Sequence, residues 1–493
     1  MYYRFLLVNF QIDYILRQPT PKKKRQALNA VPKDLNATYD LAMERIHRLE
    51  DAQRQLAVDT LTWVVFATRP LRFPELQHAV AIEDGDSDVD SEALAESATI
   101  VDLCASLIVL EEETQEIRLV HYTVQSYLES LPIMVNVHLR LALTCLNYLS
   151  FDNFRRTWSR KLFETEVVAD SLFGYAALNW GHHMRLAGET DLPLRERSLQ
   201  YLNSCNNAVF LPMSECHKSE ELAEPVRFAC YYGLYTVVQK LLQQGDVEVD
   251  SRDMLKQTPL FIAAENGHEA VVKILLERED VDVNSRDNND RTPLFSAAAE
   301  GHRDVVKMLL ERDDVDVNEC ATYSLSPVSI ATIGGHKAVV KILLDRSDVY
   351  VNCTNIADRT PLAFAAEEGH EAIVKMLLER DDIDVNLRDY SGASPLLLAA
   401  KKGHEAVVKI LLERDDVDVL SRDDLGLLPL HAAADNRHEA MGKLLVEAQI
   451  LRFHLSREEA DAISSDRQRH AELSAAIEEM YPAIERSYRD PDV

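Results

Sequence analysis

Glycine is scarce in this sequence: the 493 residues include only 15, roughly 3 % against a usual ~7 %. Because glycine is the main residue of loops and tight turns, its scarcity predicts short connections and a mostly helical chain. The hydrophobic fraction of 46 % and the charged fraction of 27 % are those of a folded protein. They exclude a chain that is disordered throughout.

Basic residues are also in short supply, with 53 Lys and Arg against 82 Asp and Glu, a formal net charge of −29. So large an acidic excess repels nucleic-acid phosphates and anionic lipids, which excludes general nucleic-acid or membrane-surface partners. No apolar run approaches the ~18 residues of a membrane span. The short apolar run Tyr2–Phe10 is followed by Asp13 rather than a small-residue cleavage site, so it is a poor signal peptide.

The seven cysteines form no Cys-x-x-Cys pair, and their scattered spacing indicates reduced thiols. We therefore expect a cytoplasmic protein. A nuclear location stays open because Lys22–Arg25 resembles a basic nuclear-localisation tetrapeptide, although the same residues fit the solvated start of a helix that runs to Ala30.

Motifs for catalysis and phosphate binding are missing. A phosphate-binding loop needs Gly-x-x-x-x-Gly-Lys-[Ser/Thr], and the nearest run, from Gly267, has Val272 at the position of the second glycine. The sequence has no Ser/His/Asp or Cys/His nucleophile motif and no His-Glu-x-x-His. It predicts a protein that is not an enzyme and uses no cofactor or metal.

The strongest positive signal is an internal repeat of 34 residues, which defines seven units between about 224 and 450. Two stretches of it, Glu269–Ser285 and Glu405–Ser421, agree at 15 of 17 positions. A tripeptide, Thr-Pro-Leu or a variant of it, marks each unit and begins at Glu224, Thr258, Thr292, Ser326, Thr360, Ser394 and Leu428. A Gly-His pair follows in five units, at Gly267, Gly301, Gly335, Gly369 and Gly403.

One unit can be interpreted residue by residue. Thr258 is suited to cap a helix whose first position is Pro259, and Gly267 is suited to end it. A second helix over Ala270–Arg278 leads into an extended hairpin arm, Val281–Asn284, with a polar tip. The unit resembles the ankyrin repeat, whose signature is Thr-Pro-Leu-His-x-Ala. The repeated histidines lie one unit apart, too far to share a zinc ion, so we interpret them as structural turn residues.

The resemblance implies a solenoid with a concave binding surface made by hairpin tips and first helices. Residues 224–450 contain 25 basic and 41 acidic residues, so we expect a protein or peptide partner with a basic stripe. The alternative, that each charge merely solvates the surface, stays open. The predicted partner-binding residues lie at the ends of the first helices: Glu265, Asn266, Glu300, Ile333, Glu367, Glu368, Lys401, Lys402, Asp435 and Asn436.

Upstream of the repeats, three helices and a hairpin between residues 53 and 131 predict a winged helix. Residues 53–130 contain 4 Arg, no Lys and 15 acidic residues, so the phosphate neutralisation that DNA binding requires is lacking. The predicted pieces are helices over 55–66, 73–82, 94–104 and 122–128, and strands over 69–71, 107–110 and 117–120.

Three parts of the chain resemble the region of NACHT proteins that follows the nucleotide-binding core. They are Ala27–Ile46, then Arg69–Leu71 with Glu75–Leu76 and Leu119–Leu128, and finally Tyr175–His183. The second part is similar to the GPI inositol-deacylase-type winged helix, and the combination with the repeats resembles NACHT–ankyrin NOD-like receptors. The resemblance implies that His121 contacts the phosphate of a nucleotide when a NACHT core is present. Ser126 departs from the acidic residue usual there, and a polar residue simply following a strand is the alternative.

The predicted fold class is mostly α, with a winged-helix domain and helical linker followed by an ankyrin solenoid with short β-hairpins. We expect the chain to begin after an ATPase core. The predicted domains are a helical remnant over 1–50, the winged helix over 51–131, the linker over 132–215, the repeats over 216–450 and a helical cap or tail over 451–493.

The leading hypothesis is a non-enzymatic recognition and scaffold protein in NOD-like-receptor-type signalling. The alternative is a truncated part of a nucleotide-gated STAND ATPase whose core lies upstream. A decayed gene without a role is a third interpretation, against which the regular repeat spacing argues.

Overall fold

The computed structural model describes residues 20, 22–23, 35–90, 92, 94–151, 171–188, 191–204, 225–244, 247–436, 438 and 440–449. By its internal contacts the chain divides into two units, residues 1–255 and 256–493. The predicted cap over 451–493 lies outside the described residues, as do Lys24 and Arg25 of the basic tetrapeptide.

The winged-helix region follows the predicted order of elements. Its three strands form one antiparallel sheet in the order β1-β3-β2, with Leu71 opposite Ile117 and Ile108 opposite Leu119. The elements are α1 (Leu35–His47), α2 (Asp51–Phe66), β1 (Leu71–Arg72), α3 (Phe73–Ala81), α4 (Ser97–Leu103), β2 (Ile108–Glu111), β3 (Glu116–Leu119) and α5 (Tyr122–Glu129).

A single carboxylate fixes the turn that leads into α3. Glu75 is buried, and it accepts the backbone N–H of Arg72 at 2.8 Å. The same carboxylate pairs with Arg69 at 2.6 Å. An acidic residue in the first helical turn satisfies an otherwise unpaired N–H and interacts favourably with the helix dipole, so Glu75 sets where α3 begins.

Five helices follow α5 among the described residues of the first unit. The first three belong to the linker, and the second and third of these pack on the last two, which form the first repeat-like helix pair. They are α6 (Val137–Leu149), α7 (Phe173–Ala187), α8 (Leu192–Ser204), α9 (Pro225–Tyr232) and α10 (Tyr235–Gln243). The buried ring of Trp180 stacks on Phe228 with 5.1 Å between centroids. The Tyr232 hydroxyl donates to the Leu178 carbonyl at 2.5 Å. A Cβ at Gly181 would lie 2.5 Å from the Tyr232 ring, so glycine permits this close approach.

The second unit is a regular stack of helix pairs. First helices pack on first helices of the next repeat, and second helices do likewise. The helices are α11 (Pro259–Glu265), α12 (Glu269–Leu276), α13 (Pro293–Ala299), α14 (Arg303–Leu310), α15 (Pro327–Ile333), α16 (Lys337–Leu344), α17 (Pro361–Glu368), α18 (Glu371–Leu378), α19 (Pro395–Lys402), α20 (Glu405–Leu412), α21 (Pro429–Asp435) and a last one over 440–449.

The predicted caps begin these helices. Thr258 Oγ1 accepts the N–H of Phe261 at 3.3 Å, and Thr360 Oγ1 accepts that of Ala363 at 3.1 Å. Leu428, at the same position in the last repeat, makes no side-chain cap. The polar side chain therefore starts each internal first helix, with proline at its first position.

Replacing Thr360 by alanine is expected to lower the free energy of unfolding by about 1 kcal/mol, because the buried cap is lost. Urea unfolding of the full chain measures this. Thr354→Ala is the comparison, since that exposed residue lies outside the helices. Equal losses in the two variants would contradict the assignment of the cap.

The Gly-His pairs join each repeat to the one before it. Gly267 has φ +69°, and a Cβ there would lie 2.6 Å from the His302 ring. The Nε2–H of His302 donates to the Glu265 carbonyl at 2.9 Å. The corresponding bonds of the next repeats are His336 to Ala299, His370 to Ile333 and His404 to Glu367. The histidines are structural, as the sequence indicated.

An asparagine ladder forms a second connection between repeats. Asn352 Nδ2 donates to the Asp382 carbonyl at 2.6 Å, and Asn352 Oδ1 accepts the N–H of Asp384 at 2.9 Å. Asn284, Asn318 and Asn386 make the same pair of bonds to the next repeat. Each side chain therefore holds two backbone groups of its neighbour.

Asn352→Ala is expected to cost about 1 kcal/mol of unfolding free energy, since both bonds are lost but water reaches the freed groups. Chemical denaturation of the full chain tests it. Asn289→Ala, at an exposed loop position, serves as the matched control and should leave the midpoint unchanged. An unfolding curve for Asn352→Ala that overlays the native curve would contradict this prediction.

The hairpin arms are tight loops closed by one backbone bond, as between the Asp287 N–H and the Arg291 carbonyl at 3.1 Å. Within the described residues an isolated bridge occurs in one of them, Ala321 opposite Leu325. The tip of the loop that follows Val281–Asn284 is polar, as predicted, with Asn288, Asn289 and Asp290 exposed. Four later loops, for which the sequence analysis made no prediction, carry large exposed apolar side chains at their tips.

Candidate partner-binding surface

The predicted groove residues lie at the carboxyl ends of the first helices, and four of them are already ion-paired within the repeats. Glu265 pairs with Arg291 at 3.0 Å. Lys401 pairs with Asp423 at 2.9 Å. The charges of these side chains are thus largely compensated inside the protein.

Arg359 compensates the third predicted residue and joins two repeats. Its guanidinium lies 2.5 Å from Glu367 and 3.3 Å from Asp389 of the following loop. Burial by itself would raise the pKa of Asp389, but hydrogen bonds from Ser391 and Ala393, together with Arg359, hold it below its usual range. Glu367 and Asp389 therefore belong to a structural network rather than to a free surface.

Burial raises the pKa of Glu265, and the nearby Arg291 opposes that shift. The same guanidinium lies over the Phe261 ring at 5.2 Å, a cation–π contact. Arg291 thus has an aromatic and an anionic partner in the preceding repeat. Glu265 can contribute little charge to a ligand while this arrangement holds.

The other predicted residues differ in what they offer to a partner. Glu300 and Glu368 are exposed and have no ion pair among the described residues, whereas Lys402 lies 3.6 Å from Glu367. Asn266 and Asn436 donate to carbonyls of their own helices at 2.9 Å. Asp435 is the last residue of α21, and Ile333 is half-buried at the end of α15. Among the residues of this set whose side chains the structure describes, Glu300 and Glu368 are the exposed anions.

The loop tips carry exposed apolar side chains that were not among the predicted partner-binding residues. Tyr323, Ile356, Tyr390 and Leu425 are 64 %, 67 %, 71 % and 93 % exposed. They occupy the tips of four consecutive repeats, and we call them the tip row. Comparing the tip position across all units, instead of inferring it from one, would have found them.

Backbone hydrogen bonds connect these tips directly. The N–H of Ile356 donates to the Tyr323 carbonyl at 3.0 Å, and that of Tyr390 donates to the Ala357 carbonyl at 2.9 Å. The Asp424 N–H donates to the Ser391 carbonyl at 2.9 Å. The tip row therefore stands on a continuous ladder rather than on independent loops.

In the winged helix, His121 is the N-cap of α5. Its Nδ1 accepts the Thr123 N–H at 3.3 Å and lies 2.8 Å from Thr123 Oγ1. The Tyr39 hydroxyl reaches the same Oγ1 at 2.8 Å, and Tyr127 donates to Asp40 at 2.6 Å. The predicted nucleotide sensor thus lies where α1 contacts the start of α5.

The described residues include no group of three or more His, Cys, Asp or Glu side chains placed to hold a metal ion. Among the helices of that part of the chain, none is long and apolar enough to cross a membrane. What the geometry offers is an ordered surface with exposed acids and an apolar edge.

Comparisons with known proteins agree with the two architectures. Residues 226–321, 312–389 and 382–453 match the family described as ankyrin repeats (3 copies), and residues 43–134 match the GPI inositol-deacylase winged helix domain. No curated protein matches the chain.

Two solved ankyrin structures are similar to this chain. The human ASB11 ankyrin repeat domain is 27 % identical, with a TM-score of 0.40 over 46 % of this chain and 98 % of its own. The ankyrin repeat domain of Bcl-3, a member of the IkappaB protein family, is 25 % identical, with a TM-score of 0.40 over 43 % of this chain and 95 % of its own. The chain thus contains ankyrin repeats and, before them, a winged-helix domain of the GPI inositol-deacylase type.

Proposed function

We propose that the repeats recognise a protein or peptide, and that the protein acts as a scaffold without catalysing a reaction. The observation that carries this proposal is the register of the repeats. Histidine, asparagine and backbone bonds fix consecutive units, so exposed groups of each unit recur along one surface. A preorganised surface of this kind loses little conformational entropy on binding.

The charge of that surface favours a basic partner. Residues 224–450 carry 25 basic and 41 acidic residues, and the exposed Glu300 and Glu368 have no ion pair among the described residues. Electrostatic complementarity of this kind raises association rates and rejects acidic competitors. We expect binding to weaken as ionic strength rises.

The test is selection of random 16-residue peptides displayed on phage against the full chain. Enriched peptides should protect amides between residues 256 and 449 from hydrogen exchange, and they should bind more weakly in high salt. The reverse-charge variant Glu300→Lys with Glu368→Lys should bind basic peptides at least about tenfold more weakly. Failure to enrich any peptide, or protection confined to residues 35–204, would contradict the proposal.

We infer further that the winged helix places this protein in NOD-like-receptor-type signalling, where docking of α1 on α5 would transmit binding. The support is the winged-helix match together with the contacts of Tyr39 and Tyr127. The alternative is part of a STAND ATPase, in which His121 would contact nucleotide. Sequencing the transcript upstream of Met1 separates them, because an in-frame phosphate-binding loop there would favour the ATPase. Titration calorimetry of this chain with ATP and ADP should show no specific heat, and micromolar affinity would contradict the scaffold assignment.

A further inference from the structure

We propose that the tip row, Tyr323, Ile356, Tyr390 and Leu425, binds an extended basic peptide segment through apolar side chains of that segment. This deepens the proposed function and rests on it. The exposure of four large apolar side chains on consecutive repeats is the first argument. Single exposed apolar residues are ordinary on soluble proteins, but one at or beside the same loop position in each of four consecutive repeats marks an interaction surface.

The backbone of the tip at Tyr323 supplies the second argument. Tyr323 and Ser324 both have positive φ, 67° and 56°. The other tips place one residue in this region, such as Asp290 or Asp358. A bulky non-glycine residue with positive φ is uncommon and costs conformational energy. A tyrosine occupies this position although glycine would fit without strain, which points to a use for its exposed ring.

The charges around the tip row determine the class of partner. Asp290, Asp358 and Asp424 are exposed at the tips and form no ion pair among the described residues. A peptide with Arg or Lys beside its apolar side chains would neutralise them, and tyrosine faces also attract cations. The acidic surface disfavours anionic lipid as an occupant. A second copy of this acidic chain is disfavoured for the same reason.

The position of the tip row explains why the partner should be extended. The side chains of the tip row occur once per repeat along the backbone ladder, so a bound peptide has to contact them one after another. The predicted groove residues Glu265 and Glu367 are paired with Arg291 and Arg359. Recognition therefore centres on the tips, and the exposed anions at the ends of the first helices add a weaker electrostatic attraction.

Three synthetic 12-residue probes test this on the full chain by fluorescence anisotropy. Probe A alternates Leu or Phe with Arg, probe B has Glu in place of Arg, and probe C has Ser in place of Leu and Phe. We expect probe A to bind at least about tenfold more tightly than either of the others. Equal affinity of the three probes would overturn the proposal.

Two variants locate the binding. The combined variant Tyr323→Ser, Ile356→Ser, Tyr390→Ser and Leu425→Ser should bind probe A at least about tenfold more weakly. The matched control is Tyr350→Ser with Leu420→Ser, which changes side chains that are 68 % and 41 % exposed but lie off the tips. Its affinity should equal that of the native chain. Hydrogen exchange of both variants verifies that the repeats stay folded.

The outcomes separate the two proposals. If probe A still binds the tip variant but is lost from Glu300→Lys with Glu368→Lys, the tip assignment is wrong and groove recognition stands. If neither the probes nor the selected peptides bind the repeats, both proposals fail. Tyr323→Gly provides an independent test, because it should raise the urea midpoint yet weaken probe A about threefold. Unchanged affinity in that variant would count against the tip row.

Discussion

Arg359→Ala is expected to lower the free energy of unfolding by about 2 kcal/mol, among the largest effects in the repeats. The guanidinium is the partner of Glu367 and Asp389, whose side chains are 15 % and 1 % exposed. Removing it leaves the buried Asp389 carboxylate without its cation and leaves Glu367 with only the longer pair to Lys402 at 3.6 Å. Such a loss is costly even where the intact pair contributes little. The remaining exposure of Arg359, 28 %, limits the loss below that of a fully buried pair.

Urea unfolding at pH 7 measures this loss, with Arg388→Ala as the matched control. Arg388 is 49 % exposed, and its pair with Asp418 is 3.8 Å long, so its removal should change stability by less than about 0.5 kcal/mol. Equal midpoints for the two alanine variants would show that Arg359 is an ordinary surface residue.

The fold could be predicted wherever a local rule recurs with the period. Thr or Ser as the helix cap, Pro at the first helical position and Gly with positive φ each determine the backbone within a few residues. Because these residues recur with the 34-residue period, the helix starts and turns could be predicted in every repeat that contains them. In the winged helix the alternation of helices and short strands gave the element order. Helix ends were less accurate, as α12 ends at Leu276 rather than Arg278.

The site could be predicted only in part, because its properties depend on residues that vary between repeats. Arg291 and Arg359 neutralise Glu265 and Glu367, but the corresponding positions hold Leu325 in the repeat between them and Ala393 in the next. A rule drawn from one repeat therefore does not transfer to its neighbour. The apolar tips escaped prediction for the same reason.

A cluster of histidines in the linker illustrates the same limit, since its members are 45 residues apart in sequence. His183 is fully buried in α7, and its Nδ1 lies 3.0 Å from Nδ1 of His138 in α6. Its Nε2 lies 2.8 Å from the Tyr175 hydroxyl, which accepts the N–H of Thr68. Both imidazole nitrogens of His183 are therefore held by neutral partners.

This cluster makes the first unit sensitive to acid. Burial, with smaller contributions from His138 and His182, lowers the pKa of His183 to about 3. Burial also lowers the pKa of His138, and Arg69 adds positive charge over the Tyr175 ring at 5.3 Å. In the unfolded chain a histidine titrates near ~6.5. The stability is therefore fully present above that pH and declines as the pH falls toward the folded pKa.

At pH 5 we expect His183 alone to reduce the free energy of unfolding by about 2 kcal/mol relative to pH 8. This pH lies about 1.5 units below the pKa of a histidine in the unfolded chain, and each unit is worth ~1.4 kcal/mol. Hydrogen exchange of α6 and α7 as a function of pH measures this loss where it occurs. In His183→Gln the free energy of unfolding should depend less on pH between about 6.5 and 5, because glutamine does not titrate. The substitution also lowers the stability at pH 8. The exposed His47→Gln is the control and should keep the native slope. An unaltered slope in His183→Gln would assign the acid sensitivity to other groups.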